Sequence, residues 1–71
     1  MKLPRDVSGG EAVRALRRLG FQIVRQEGSH IRMSKGAVRL TVLNHKTILP
    51  KTLQSMLRQA GVSVEELLKA L

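Results

Sequence analysis

Apolar residues fall along this chain in two rhythms, and the change between them marks the elements. From Ser8 onward the rhythm is helical. Ala12, Val13, Leu16 and Leu19 recur at three- and four-residue intervals, with Arg14, Arg17 and Arg18 largely on the other side. Ser8 and Glu11 have capping-box spacing, in which hydroxyl and carboxylate each bond a free amide of the first turn. Gly20 suits the position just past a helix end, so a helix is predicted over residues 9–19. The rhythm then shortens to two. Phe21 to Gln26 reads as a strand, Glu27-Gly28-Ser29 as a turn, and His30 to Ser34 as a second strand. Alternation puts Ile31 and Met33 on one face and His30 and Arg32 on the other. Lys35-Gly36 is a second tight turn, and Val38, Leu40 and Val42 alternate inward on a third strand.

The helical rhythm returns after a loop from Asn44 to Leu49. Pro50 fits a first helical turn, Leu53, Met56, Leu57 and Ala60 form an apolar stripe, and Gly61 stops it. Ser63 and Glu66 repeat the capping-box spacing before a last short helix, with Val64, Leu67, Leu68 and Leu71 available for packing. The expectation is an α+β fold of order αβββα(α): a three-stranded antiparallel meander covered by helices on one face. The opposite sheet face would carry His30, Arg32, Arg39 and Thr41. Residues 1–71 make one domain without repeats or an interdomain linker. A core this small supports roughly 3–5 kcal/mol of stability.

Composition narrows the chemistry. There is no cysteine, which excludes thiolate metal sites, a thiol nucleophile and redox work. Two histidines and five scattered acids give no basis for a metal cluster, and no cofactor is implied. No run approaches the length of a membrane span, and Met1 to Asp6 is not followed by the apolar region of a signal peptide. The expected compartment is the cytoplasm. Thirteen lysines and arginines against five acids give a net charge of +8, which calls for an anionic partner. Among such partners RNA is the one that a histidine could cut without a cofactor. A base takes the 2′-hydroxyl proton, the oxygen attacks the adjacent phosphorus, and an acid protonates the leaving 5′-oxygen.

His30, in Gly28-Ser29-His30, is the expected catalytic residue. Nearby cations would favour its neutral form and stabilise charge on the reacting phosphate. Gly28 permits unusual dihedrals, and Ser29 is placed to bond a phosphate or orient the imidazole. His45 follows the third strand. In a meander it falls at the sheet end where His30 begins the second strand, either as an acid–base partner or as a loop residue that caps the next helix or touches phosphate. Arg32, Lys35, Lys46 and Lys51 are the remaining expected RNA contacts. With no Tyr or Trp and a single Phe21 that reads as buried, the chain offers no stacking platform of the kind used in RRM-like or OB-like single-strand recognition.

These residues resemble the HicA-type (YcfA-like) toxin family over about residues 8–63. The resemblance is carried by Ser8-Gly9-Gly10-Glu11-Ala12-Val13, by Leu19-Gly20-Phe21, and by Arg25-Gln26-Glu27-Gly28-Ser29-His30. It continues through Thr41-Val42-Leu43-Asn44-His45 and the run Thr52 to Gly61. It implies a double-stranded-RNA-binding-domain-like fold and metal-independent mRNA interferase activity in a type II toxin–antitoxin system. It also implies His30 as the catalytic histidine, and a HicB-type antitoxin that covers the site, often in a hetero-oligomer. Two positions depart from the family pattern. Leu43-Asn44-His45 replaces Pro-x-His, and Lys51 replaces a glycine before Thr52-Leu53. The rival readings are a double-stranded-RNA binder without turnover and a ribosome- or nucleoid-associated protein.

Overall fold

In a computed structural model, which describes residues 6–71, the element order is α1 (Gly9–Arg18), β1 (Gln22–Glu27), β2 (His30–Lys35), β3 (Val38–Leu43), α2 (Pro50–Ala60) and α3 (Val64–Ala70). Of the segment Met1 to Asp6, read above for signal-peptide character, residues 1–5 lie outside the described residues. The strands form one antiparallel sheet of order β1-β2-β3. This is the α+β architecture that the two rhythms predict.

The local signals act as expected. In α1 the Ser8 hydroxyl accepts from the Glu11 amide at 3.1 Å, and the Glu11 carboxylate accepts from the Ser8 amide at 3.2 Å. The helix ends one residue earlier than the expected 9–19, with Leu19 as C-cap and Gly20 at φ 102°. Both hairpin turns are two-residue loops with glycine first. Gly28 and Gly36 sit at φ 56° and 60°, while Ser29 and Ala37 are not left-handed, a pattern that matches type II′ turns and the twist of the flanking strands. Gly61 ends α2 in the left-handed region at φ 68°.

Helix α3 repeats the capping box: Glu66 N–H donates to the Ser63 hydroxyl at 3.0 Å, and Ser63 N–H donates to Glu66 Oε1 at 3.1 Å. The Ser63 amide, helped by the Ser63 hydroxyl, holds the Glu66 carboxyl below its ordinary range. A lowered folded-state pKa stabilises above the unfolded value and ceases to do so as pH falls through the folded one. Acidification below the ordinary carboxylate range therefore frays α3, and Ser63→Ala frays it at neutral pH at a cost of about 1 kcal/mol. Amide exchange across Val64–Ala70 reads both effects. Unchanged protection in Ser63→Ala would remove the cap from the account.

One core lies between the sheet and the helices. Leu16, Met33, Val42, Ile48, Leu53 and Leu67 are its largest fully buried members, and no polar side chain is buried among the described residues. The helices lie toward β3 rather than over the whole sheet. Every residue of β1 is exposed, with Ile23 46% and Val24 64% accessible. The β1–β2 register slips between Ile23 and Arg25, so Val24 sits in a bulge. One residue expected inward, Val38, and two expected to be available for packing, Leu68 and Leu71, are less covered than that. Val38, Leu68 and Leu71 are each about two-fifths exposed because they lie at the margin of what a 71-residue fold covers. Arg18, grouped by sequence with the α1 surface arginines, donates from Nη1 to the Ala70 carbonyl at 2.7 Å and ties α1 to the end of α3.

Candidate active site

The site is built at the sheet end where β1 turns into β2 and β3 leaves the sheet. Glu27 and His30 flank the Gly28-Ser29 turn and are direct cross-strand partners. His30 is also paired with Leu43 on β3. Cross-strand partners share a face with Cβ atoms about 4.5–5.5 Å apart, so the imidazole projects on the open face between Glu27 and Leu43. His30 is solvent-exposed.

Main-chain bonds fix this end. The Asn44 amide donates to the Ser29 carbonyl at 2.7 Å, which fastens the histidine turn to the end of β3. The His45 amide donates to the Leu43 carbonyl at 2.9 Å, an inverse γ-turn that swings the chain out of the sheet. The His45 carbonyl accepts from the Gly9 amide at 2.8 Å, and Ile48 N–H donates to the Val7 carbonyl at 2.7 Å. Thus Leu43-Asn44-His45 is held by α1 and the β1–β2 turn together. His45 is exposed. It does not cap the next helix: the N-cap of α2 is Leu49, without a side-chain bond, and the helix starts at Pro50 despite Lys51 standing before Thr52.

The expected site residues divide into two groups. Gly28, Ser29, His30 and His45 come together at one sheet end. Lys46 follows in the same loop, and Lys51 lies in the first turn of α2 to which that loop leads. Gly28 takes the left-handed φ its turn requires, and no protein atom lies within 4 Å of where its Cβ would be. Arg32 is on the same face as His30, two residues along β2. Lys35 is at the far end of β2. Its ammonium donates to the Leu19 carbonyl at 2.8 Å and lies 5.8 Å from the Phe21 ring centroid. Five residue steps along the strand separate it from His30, about 17 Å. Helix-end satisfaction, not the histidine, occupies it.

Three residues of this face were not singled out by sequence as site residues. Glu27 faces His30 across the first rung, with a carboxylate oxygen 3.4 Å from Arg25 Nε. Arg25 pairs directly with Arg32, and Arg39 pairs with Ser34 on the same face. A two-residue loop obliges its flanking residues to face one another, so the Glu27–His30 pairing was available from the turn itself. The Arg25–Arg32 pairing was not, because it depends on the bulge at Val24.

The described residues contain no group of three or more acids and histidines able to hold a metal. No described helix is long and apolar enough to cross a membrane. The arrangement sets an exposed imidazole at the end of a solvent-open sheet face that also carries Arg25, Arg32 and Arg39, in a small basic α+β protein. The family model for the HicA toxin of bacterial toxin–antitoxin systems matches residues 9–62, and the chain belongs to that family. It is therefore the toxin of a toxin–antitoxin system, with an antitoxin as its partner. No curated protein matches the chain.

Proposed function

We propose that this toxin is a metal-independent endoribonuclease that cuts mRNA and so arrests translation, with His30 as general base or acid. The observation that carries the reading is His30 itself, exposed on the open sheet face at the Gly28-Ser29 turn of a HicA-family chain. The 2′-oxygen loses its proton and attacks phosphorus, the bond to the 5′-oxygen breaks, and that oxygen takes up a proton. The products are a 2′,3′-cyclic phosphate and a 5′-hydroxyl. Cations around the site stabilise the charge gathered on the non-bridging oxygens. Main-chain amides of Lys51 and Thr52 at the side-chain-uncapped start of α2, with Lys46 and Lys51, offer further phosphate contacts. A HicB-type antitoxin is the partner that fits, by covering this sheet end.

The second proton-transfer group is drawn from the same sheet end, where Glu27 and His45 are the candidates. Removing it erases one limb of the pH–rate profile. Profiles of Glu27→Gln and His45→Ala, recorded with a defined RNA in EDTA, identify which limb belongs to which. If both profiles keep both limbs, neither residue transfers a proton. RNA that stays intact while its gel mobility shifts would instead favour a binding module without turnover.

A further inference from the structure

The open sheet face beyond the His30 rung has a chemistry of its own. It is hollowed into a depression of about 450 Å³, bordered by Arg25, Arg32, Ser34, Arg39 and Thr41. Gln59, from the last turn of α2, also borders it. The register explains the convergence. Arg25 faces Arg32, Arg32 faces Thr41, and Ser34 faces Arg39, so three guanidinium groups and two hydroxyls emerge on one side over adjacent rungs. No carboxylate lines the depression; the nearest acid in the pattern is Glu27, one rung away toward His30. Like charges placed directly opposite on a sheet repel, and the fold supplies nothing to neutralise Arg32 and Arg39 among the described ion pairs. An anion laid on this face would relieve that repulsion.

Guanidinium forks match phosphate oxygens two at a time, and arginine keeps its charge at any working pH. Arg32 stands two residues from His30 on the same face, about 7 Å along the strand. A backbone whose scissile phosphate sits at His30 therefore reaches Arg32 and Arg25 at the next rung and Arg39 beyond. The chemistry favours a single strand. In a regular duplex each 2′-oxygen is held out of line with the 5′-oxygen it must displace. No aromatic side chain is exposed to stack a base, since the one phenylalanine is 3% accessible. We infer that a single RNA strand crosses the open sheet face from His30 toward Gly36, with its phosphates held by Arg25, Arg32 and Arg39 and its bases unread. This rests on the ribonuclease reading and adds the substrate's form and course to it.

The test uses the full chain in a His30→Ala background, so that RNA survives the measurement. Binding of a fluorescein-labelled 12-nucleotide oligouridylate is followed by anisotropy across a salt series. Each phosphate contact to a single strand contributes about 0.7 to the slope of log affinity against log salt. Arg25→Gln, Arg32→Gln and Arg39→Gln should each lower the slope by about 0.7, and the triple variant by about 2. Lys69→Gln on α3 should leave it unchanged. Thermal melts confirm folding, and the triple variant should melt no lower than its parent because repulsion is relieved. A triple variant with the parental slope overturns the inference. So does tighter binding of a matched 12-base-pair RNA duplex, or equal competition by oligoglutamate, which would mark a surface for an acidic protein. Cleavage in EDTA by the wild type separates the two readings. Cleavage with an arginine-independent slope defeats only the strand's course, and an arginine-dependent slope without cleavage defeats only the ribonuclease.

Discussion

Replacing His30 by alanine is expected to leave a folded protein that no longer cuts RNA or stops growth. The residue begins a strand, is exposed and makes no side-chain hydrogen bond among the described residues, so its removal should change stability by less than about 0.5 kcal/mol. A positioned acid or base contributes roughly 10²- to 10⁴-fold to a rate. The two effects therefore separate cleanly: an unchanged thermal melt beside cleavage reduced by at least about 100-fold. A long mRNA incubated in EDTA with each protein and run on a gel decides it. Cutting by His30→Ala at the wild-type rate would remove proton transfer at this residue from the mechanism.

The second large effect is expected at a glycine remote from the histidine in sequence. An added Cβ at Gly9 would lie 2.5 Å from the Leu43 carbonyl oxygen and 2.6 Å from Asn44 Cα, and both are main chain. Neither can rotate away, so Gly9→Ala must push α1 off the loop that carries His45 and break the Gly9–His45 bond. Overpacking of this kind costs about 1–3 kcal/mol, a large share of what a core of this size supplies. Gly10 is the control. Its Cβ would meet only the Ser8 hydroxyl, at 3.9 Å, and Gly10→Ala should stabilise by up to about 1 kcal/mol through helix propensity. Urea midpoints of the two variants should move in opposite directions. Equal midpoints would mean that the loop yields to the helix.

Much of the fold is written locally. Ser8 with Glu11 and Ser63 with Glu66 state where two helices begin, and Gly28 and Gly36 state where the sheet reverses. Alternation assigns His30 and Arg32 to the face opposite Ile31 and Met33, which is where they lie. What alternation lacks is reach. It says which way Val38 and Ile23 point, but not that the helices stop short of them. Nor does a period of two announce the bulge at Val24 that sets Arg25 opposite Arg32. Lys35 reads as one more cation because its bond to the Leu19 carbonyl joins residues 16 apart in sequence. The histidine end was legible through Gly28-Ser29-His30. The role of Gly9 in holding His45 was not, because it exists only between distant elements.

That last contact has a consequence for when the toxin becomes a toxin. The two hairpins join near neighbours and close short loops, which form fast. The Gly9–His45 and Val7–Ile48 bonds join residues separated by about half the chain, so closing them costs more loop entropy than closing either hairpin. On a ribosome, the strand with His30 emerges well before the segment from His45 to α2 that completes this end. A growing chain therefore presents His30 before the segment that packs beside it at this sheet end has been made.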